Sequence, residues 1–448
     1  MTDHRVVPAG AQRLWRSGAW AGAFGLALGL IATPVWGANW LLLQGTEPGD
    51  KPLRIFGFIQ PEYEVTQDSE LAAGPWTGQD AAFNQIPPGL DTSSNFSLRR
   101  ARLGARGAIP QQPQINYFLL VEFGDNGLTN ADSGSAKLTD ASVTLNYLPG
   151  ARIRAGQFKM PIGEEGWQAI GVINYVNYTS VTSQLVLERF FDSADGFEGN
   201  PANAFNGATS GFRDIGIQVF DAFRVGKWEH SYAAVVANGN GIARSDNDDN
   251  KDVYLYGSTE RIFAGKGGRR QGAKLFGWWQ DGERTLDAGP QQGEFDRTRY
   301  GVGATLRLGK WRASSEYIKA DGMIFTGADG GAVPGSVSND GTRVASFNIA
   351  PEEEADGYFF DVGYRILPKL ELDFRYDRLN RATEDESAER RFDTFTLGFQ
   401  YFLHKNTRIT VNYEFREAEA PNLAGDAPPN QILDEIDDRF GAQVLVFF

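Results

Sequence analysis

From residue 52 onward, apolar side chains recur at every second position, which is the strand period. Across 407–415, Ile409, Val411, Tyr413 and Phe415 alternate with Arg408, Thr410, Asn412 and Glu414. Across 370–377, Leu370, Leu372, Phe374 and Tyr376 alternate with Glu371, Asp373, Arg375 and Asp377. The stretches 299–308 and 358–366 repeat the pattern, with Val302, Leu306, Phe360 and Val362 on one face and Arg299, Arg307, Asp361 and Arg365 on the other. A soluble β-sandwich also alternates, but its strands are shorter and its polar face looks outward at water. Here the segments run about ten residues or more, the length a tilted strand needs to cross a bilayer. Every backbone N–H and C=O must be paired in hydrocarbon, so such a sheet must close on itself. The pattern therefore predicts an all-β protein, a transmembrane 16-stranded antiparallel β-barrel of the bacterial outer membrane, dry outside and wet inside.

Strands are expected near 53–65, 95–108, 114–123, 137–147, 151–159, 214–221, 228–237, 252–262, 272–280, 298–308, 311–319, 357–367, 370–379, 392–403, 407–416 and 438–448. Alternation is blurred in the first of these, in 228–237 and in 272–280. Connections alternate in length: seven short turns interleave with long loops at 66–94, 124–136, 160–213, 238–251, 281–297, 320–356, 380–391 and 417–437. Outer-membrane barrels show this parity, with short periplasmic turns and long external loops. The final strand ends on aromatic Phe448, which suits the same class.

Residues 1–38 read as a secretory signal. Arg5, Arg13 and Arg16 precede an apolar run, 19–32, which is followed by small Gly37 and Ala38. That run is shorter than the roughly 20 residues of a spanning helix. Residues 39–51, with apolar 40–43, read as a short periplasmic segment ahead of a barrel spanning 52–448. The chain has 448 residues, a net charge of −14 and no cysteine. The absence of cysteine removes disulfides, thiolate metal sites and Cys nucleophiles. The acidic balance argues against nucleic acid as a partner, since a basic face is needed to displace counterions. His230 and His404 sit in no visible Ser–His–acid arrangement, and no cofactor or metal motif is present.

Several motifs, in order, resemble the phosphate-selective porin O/P family across nearly the whole chain after the signal. They are 99–104 (RRARLG), 138–141 (LTDA), 156–163 (GQFKMPIG), Glu188–Arg189, 213–216 (RDIG), Asn238–Gly239 and 363–365 (GYR). The resemblance implies a homotrimer of sixteen-stranded barrels. It also implies a loop folded into the lumen and an anion path lined by Arg and Lys. Arg99, Arg100 and Arg102 are its first candidates, and its motifs add Lys159, Arg189 and Arg213.

Parity alone places Arg100, Arg102 and Arg106 on one face of 95–108, and Arg152 and Arg154 on one face of 151–159. Arginine suits oxyanions because it stays charged and presents a planar fork of donors. The competing role is bracing, with Glu122 and Asp140 on adjacent strands as ion-pair partners. Segment 160–213 holds Trp167, Tyr175 and Tyr178 and an apolar stretch over 170–181, so it is expected to constrict the lumen; an external cap or an inter-subunit latch are its alternatives. Acidic residues collect in the long loops, at 246–252, 352–356, 384–386 and 434–438. Such clusters suit either a solvated rim or cation bridges to lipopolysaccharide. The expected function is passive diffusion of small anions, with phosphate and polyphosphate as candidates, through the outer membrane. A general pore for polar solutes, a structural or adhesive barrel and a barrel enzyme are the alternatives.

Overall fold

The structure, a computed structural model, describes residues 39–42, 51–66, 73, 94–131, 134–197, 200–205, 208–242, 246, 248–286, 292–327, 332, 336–343, 345 and 348–448. The expected signal, 1–38, lies outside the described residues, as does 43–50.

Sixteen antiparallel strands close into a barrel in chain order. They are β1 (Arg54–Thr66), β2 (Ser94–Ile109), β3 (Gln112–Glu122), β4 (Lys137–Leu148), β5 (Ala151–Lys159), β6 (Arg213–Val225), β7 (Trp228–Ala237) and β8 (Asp252–Ala264). The second half comprises β9 (Gln271–Leu286), β10 (Gly293–Leu308), β11 (Trp311–Asp321), β12 (Glu354–Leu367), β13 (Leu370–Arg381), β14 (Arg390–His404), β15 (Thr407–Glu419) and β16 (Arg439–Phe447). Closure pairs β1 with β16 from Phe58 opposite Phe447 to Thr66 opposite Arg439. Beyond that register, Gly57 and Phe448 exchange both backbone hydrogen bonds, at 3.1 and 3.0 Å.

The alternation sorts the two faces as water and lipid require. Leu275, Val302, Ile217 and Leu397 are at least half exposed on the outside. Glu371, Asp373, Arg375 and Asp377, the intervening residues of β13, are buried within. Strands β6, β8 and β9 run further than the sequence suggests, to Val225, Ala264 and Leu286. Charged Asp221, Arg224, Glu260 and Arg284 blur the apolar signal there, yet a wet lumen accepts them.

Two register shifts bend the wall near one another. Gln60 pairs with Arg100 and Pro61 with Leu98, so Arg99 is an extra residue in β2. Leu120 pairs with Asp140 and Val121 with Leu138, so Thr139 is an extra residue in β4. Such bulges re-aim side chains. Here Arg99 joins Arg100, and Thr139 joins Asp140, on the buried inner face.

Aromatic side chains lie over glycines across the strands. A Cβ on Gly104 would stand 2.6 Å from the Phe56 ring and 2.8 Å from the Leu119 carbonyl oxygen. Gly104→Ala is expected to cost about 1–3 kcal/mol through overpacking. The check is the unfolding midpoint in detergent, and an unchanged midpoint would show that the Phe56 ring gives way freely.

The first part of the connection between β5 and β6 folds back against the inner wall. It carries a single helical turn, Glu164–Trp167, and another turn at Thr182–Val186. Its backbone is held from around the wall. Arg299 of β10 donates to the Leu185 carbonyl at 2.9 Å, Arg375 of β13 to that of Asn177 at 2.9 Å, and Arg408 of β15 to that of Ile173 at 2.6 Å. The backbone N–H of Val176 donates to Asn412 at 2.8 Å, and that of Ser180 to Asp377 at 2.8 Å. Phe191–Phe197 and Asn200–Phe205 form a two-stranded ribbon later in the same connection.

Residues 39–42 touch the inner wall, where the sequence alone suggests a periplasmic segment. Leu41 and Leu42 are buried. The Trp40 indole donates to Glu164 at 2.7 Å, and Arg154 donates to the Leu41 carbonyl at 2.9 Å. The apolar character of 40–42 is satisfied by this packing.

Candidate functional site

Strand β2 carries the densest cationic run. Arg99 pairs with Glu62 at 3.3 Å and reaches Asn177 of the β5–β6 connection at 3.5 Å. Arg100 donates to Gln60 at 2.8 Å and to the Tyr178 hydroxyl at 3.2 Å. Among the described residues its hydrogen-bond partners are neutral, unlike those of Arg99 and Arg102 on either side. Arg102 pairs with Glu122 at 2.6 Å and donates to Thr129 at 3.1 Å. Arg106, nearer the short-turn end, stands over the Phe56 ring at 5.4 Å.

The other sequence candidates are distributed unevenly. Arg213 pairs with Asp140 at 3.0 Å and donates to the Gly211 carbonyl at 2.7 Å. Lys159 donates to the carbonyls of Gly166 at 2.8 Å and Gln168 at 3.1 Å; it has no carboxylate partner among the described residues. Arg152 pairs with Asp221 at 3.2 Å. Arg154 is sandwiched between Phe220 and Phe158, with centroids at 4.5 and 5.4 Å, and donates to Gln218 at 3.0 Å. Arg189 lies 4.5 Å over Phe325, apart from the β2 run. The bracing role expected of Glu122 and Asp140 is therefore visible for Arg102 and Arg213, and not for Arg100.

Two cavities flank Arg100 along its own strand. The one toward the long loops, about 50 Å³, is lined by Arg99, Tyr178, Thr394, Arg416 and Arg439 among others. The one toward the short turns, about 300 Å³, is lined by Arg102, Arg106, Lys159, Arg213 and Asp140, together with aromatic residues. Sequence reasoning missed Arg416 and Arg439. Both carry the inward parity of their strands, 408–416 and 439–447, and counting on from Arg408 and back from Gln443 finds them.

At the short-turn mouth, Arg270 is clasped by Glu229 and Glu260. Burial opposes its charge, but the hydrogen bonds and fields of the two carboxylates prevail and raise its pKa.

A closed barrel with an apolar exterior, a charged interior and an in-folded connection is that of an integral outer-membrane pore protein. The chain belongs to the Gram-negative porin family, whose profile matches residues 87–421. Solved structures agree in fold. An anion-selective porin from Comamonas acidovorans superposes with a TM-score of 0.52 at 13% identity, covering 88% of this chain and 99% of that one. OmpF of Salmonella typhi in complex with daunomycin gives 0.52 at 12% identity, covering 88% and 97%. No curated protein matches by sequence. The family and fold are those of a channel rather than an enzyme, and they place the protein in the outer membrane.

Proposed function

We propose that this barrel is a passive diffusion pore for small anions, which pass along β2 from Arg99 through Arg100 to Arg102 and Arg106. The connection between β5 and β6 narrows the bore beside them. Phosphate and polyphosphate are the permeants implied by the sequence resemblance, and the homotrimer it implies is the proposed assembly. One observation carries this reading: Arg100, set between Arg99 and Arg102, which each line a cavity, gives its hydrogen bonds to neutral Gln60 and Tyr178. In a narrow tube walled by low-dielectric material, a guanidinium that is not locked in an ion pair keeps more of its field for a passing ion than a paired one.

A second reading, a general pore for polar solutes, draws on the pairing of Arg99, Arg102, Arg152 and Arg213 with carboxylates. Reversal potentials across planar bilayers under a potassium chloride gradient separate the two. The expected result is anion preference, with Arg100→Ala lowering the chloride-to-potassium permeability ratio about three- to tenfold, since one charge near the path is worth a kcal/mol or more before screening. Cation preference in the wild type would refute the anion reading.

A further inference from the structure

One sector of the inner wall departs from the rest. Facing the bore, β1 presents Phe56 and Phe58, β3 presents Phe118 and Leu120, and β16 presents Leu445 and Phe447, where β13 and β15 present charges or amides. Phe56 and Phe118 stand 5.6 Å apart, and Phe58 and Phe447 5.5 Å apart. Some of this surface is covered: Phe58 and Leu445 pack with Ile170 of the in-folded connection. Yet a cavity of about 300 Å³ remains between the wall and that connection. Inorganic phosphate has no apolar body to offer such a wall, and water gains little from it.

The same cavity is edged by cations. Arg102 stands over Phe58 at 5.7 Å and Arg106 over Phe56 at 5.4 Å. Lys159 is held by the Gly166 and Gln168 carbonyls, with no carboxylate partner among the described residues, and Arg213 shares the cavity with its partner Asp140. Four cationic side chains thus edge an aromatic chamber, two of them paired (Arg102 with Glu122, Arg213 with Asp140), and its volume falls at the lower end of small-molecule sites, roughly 300–1,000 Å³. Such a chamber matches a molecule with a flat apolar body and an anionic end.

We propose that this chamber is a binding site for small aromatic carboxylates in transit. The ring lies against Phe56, Phe118 and Leu120, and the carboxylate faces Arg102 and Lys159. The proposal rests on the anion path above and names a substrate class for it. Residence in the chamber concentrates the solute at the narrow part of the bore, which favours its passage at low external concentration.

The test is single-channel recording in potassium chloride with benzoate, acetate or benzamide added. Benzoate is expected to interrupt the chloride current at about tenfold lower concentration than either acetate or benzamide, because only it offers both ring and charge. Leu120→Ser is expected to remove most of that advantage while leaving chloride preference in place. Phe118→Ser is expected to do the same, and if it fails to assemble the Leu120→Ser channel alone still decides. Equal effects of benzoate and acetate in an anion-preferring channel would overturn this site but leave the anion path standing. A benzoate effect unchanged in Leu120→Ser would also overturn it. Cation preference would overturn both.

Discussion

Glu122→Ala is expected to destabilise the folded barrel by about 3–5 kcal/mol, the usual cost of breaking a buried ion pair by removing one partner. Glu122 is fully buried in the wall. One carboxylate there serves five donors: Arg102 at 2.6 Å, the Ala101 N–H at 2.7 Å, the Gly124 N–H at 2.9 Å, Asn126 at 3.2 Å and the Thr129 hydroxyl at 3.4 Å. It thereby ties the bulged part of β2 to the start of the following long loop. Alanine would leave Arg102 charged and the two backbone donors without their acceptor. Glu122→Gln keeps the shape and an acceptor, and is expected to lose less. Thermal loss of the compact form on detergent gels, followed alongside far-ultraviolet circular dichroism, reads both variants. An alanine variant that melts with the wild type would mean that water takes over the site.

Excising 170–186 and rejoining the ends with a short Gly–Ser linker is expected to raise single-channel conductance several-fold. Part of this segment packs against the inner wall, where Arg299, Arg375 and Arg408 hold its carbonyls. Removing it exposes those guanidinium groups to water, where they remain charged. Anion preference is therefore expected to survive, though weakened by the wider bore and its screening. A conductance equal to that of the wild type would show that the rate-limiting narrowing lies elsewhere. A milder change, Arg375→Ala, removes the contacts to Glu165 at 3.1 Å and to the Asn177 carbonyl, and is expected to increase current noise rather than mean current.

The barrel was legible in the sequence because a transmembrane wall has the sharpest contrast a chain can carry: lipid on one side and water on the other. That contrast fixes parity, so β13 and β15 could be assigned to faces residue by residue. It fails where the wall departs from strict alternation. Arg99 has the wrong parity for a regular strand and turns inward only through the bulge opposite Gln60 and Pro61, so a motif resemblance singled it out where periodicity did not. The partners of Arg154 were equally hidden. Its place between Phe158 and Phe220, against the Leu41 carbonyl, joins positions more than a hundred residues apart. The apolar sector of Phe58 and Leu445 was obscured for a different reason. Strand β1 is apolar on both faces, because Ile55 and Ile59 meet lipid while Phe56 and Phe58 meet the chamber, and its alternation was blurred accordingly.

The seam between β1 and β16 carries a consequence for how the molecule is made. Its register joins Phe58 to Phe447, so the two edges that seal the cylinder emerge from the ribosome at nearly opposite times. Until they meet, each presents a row of unsatisfied peptide groups, a template for adhesion to other chains. Contacts this distant in sequence also form slowly. Until that seam forms the chain is open to pairing with others, and the cylinder is sealed only when its earliest edge finds its latest.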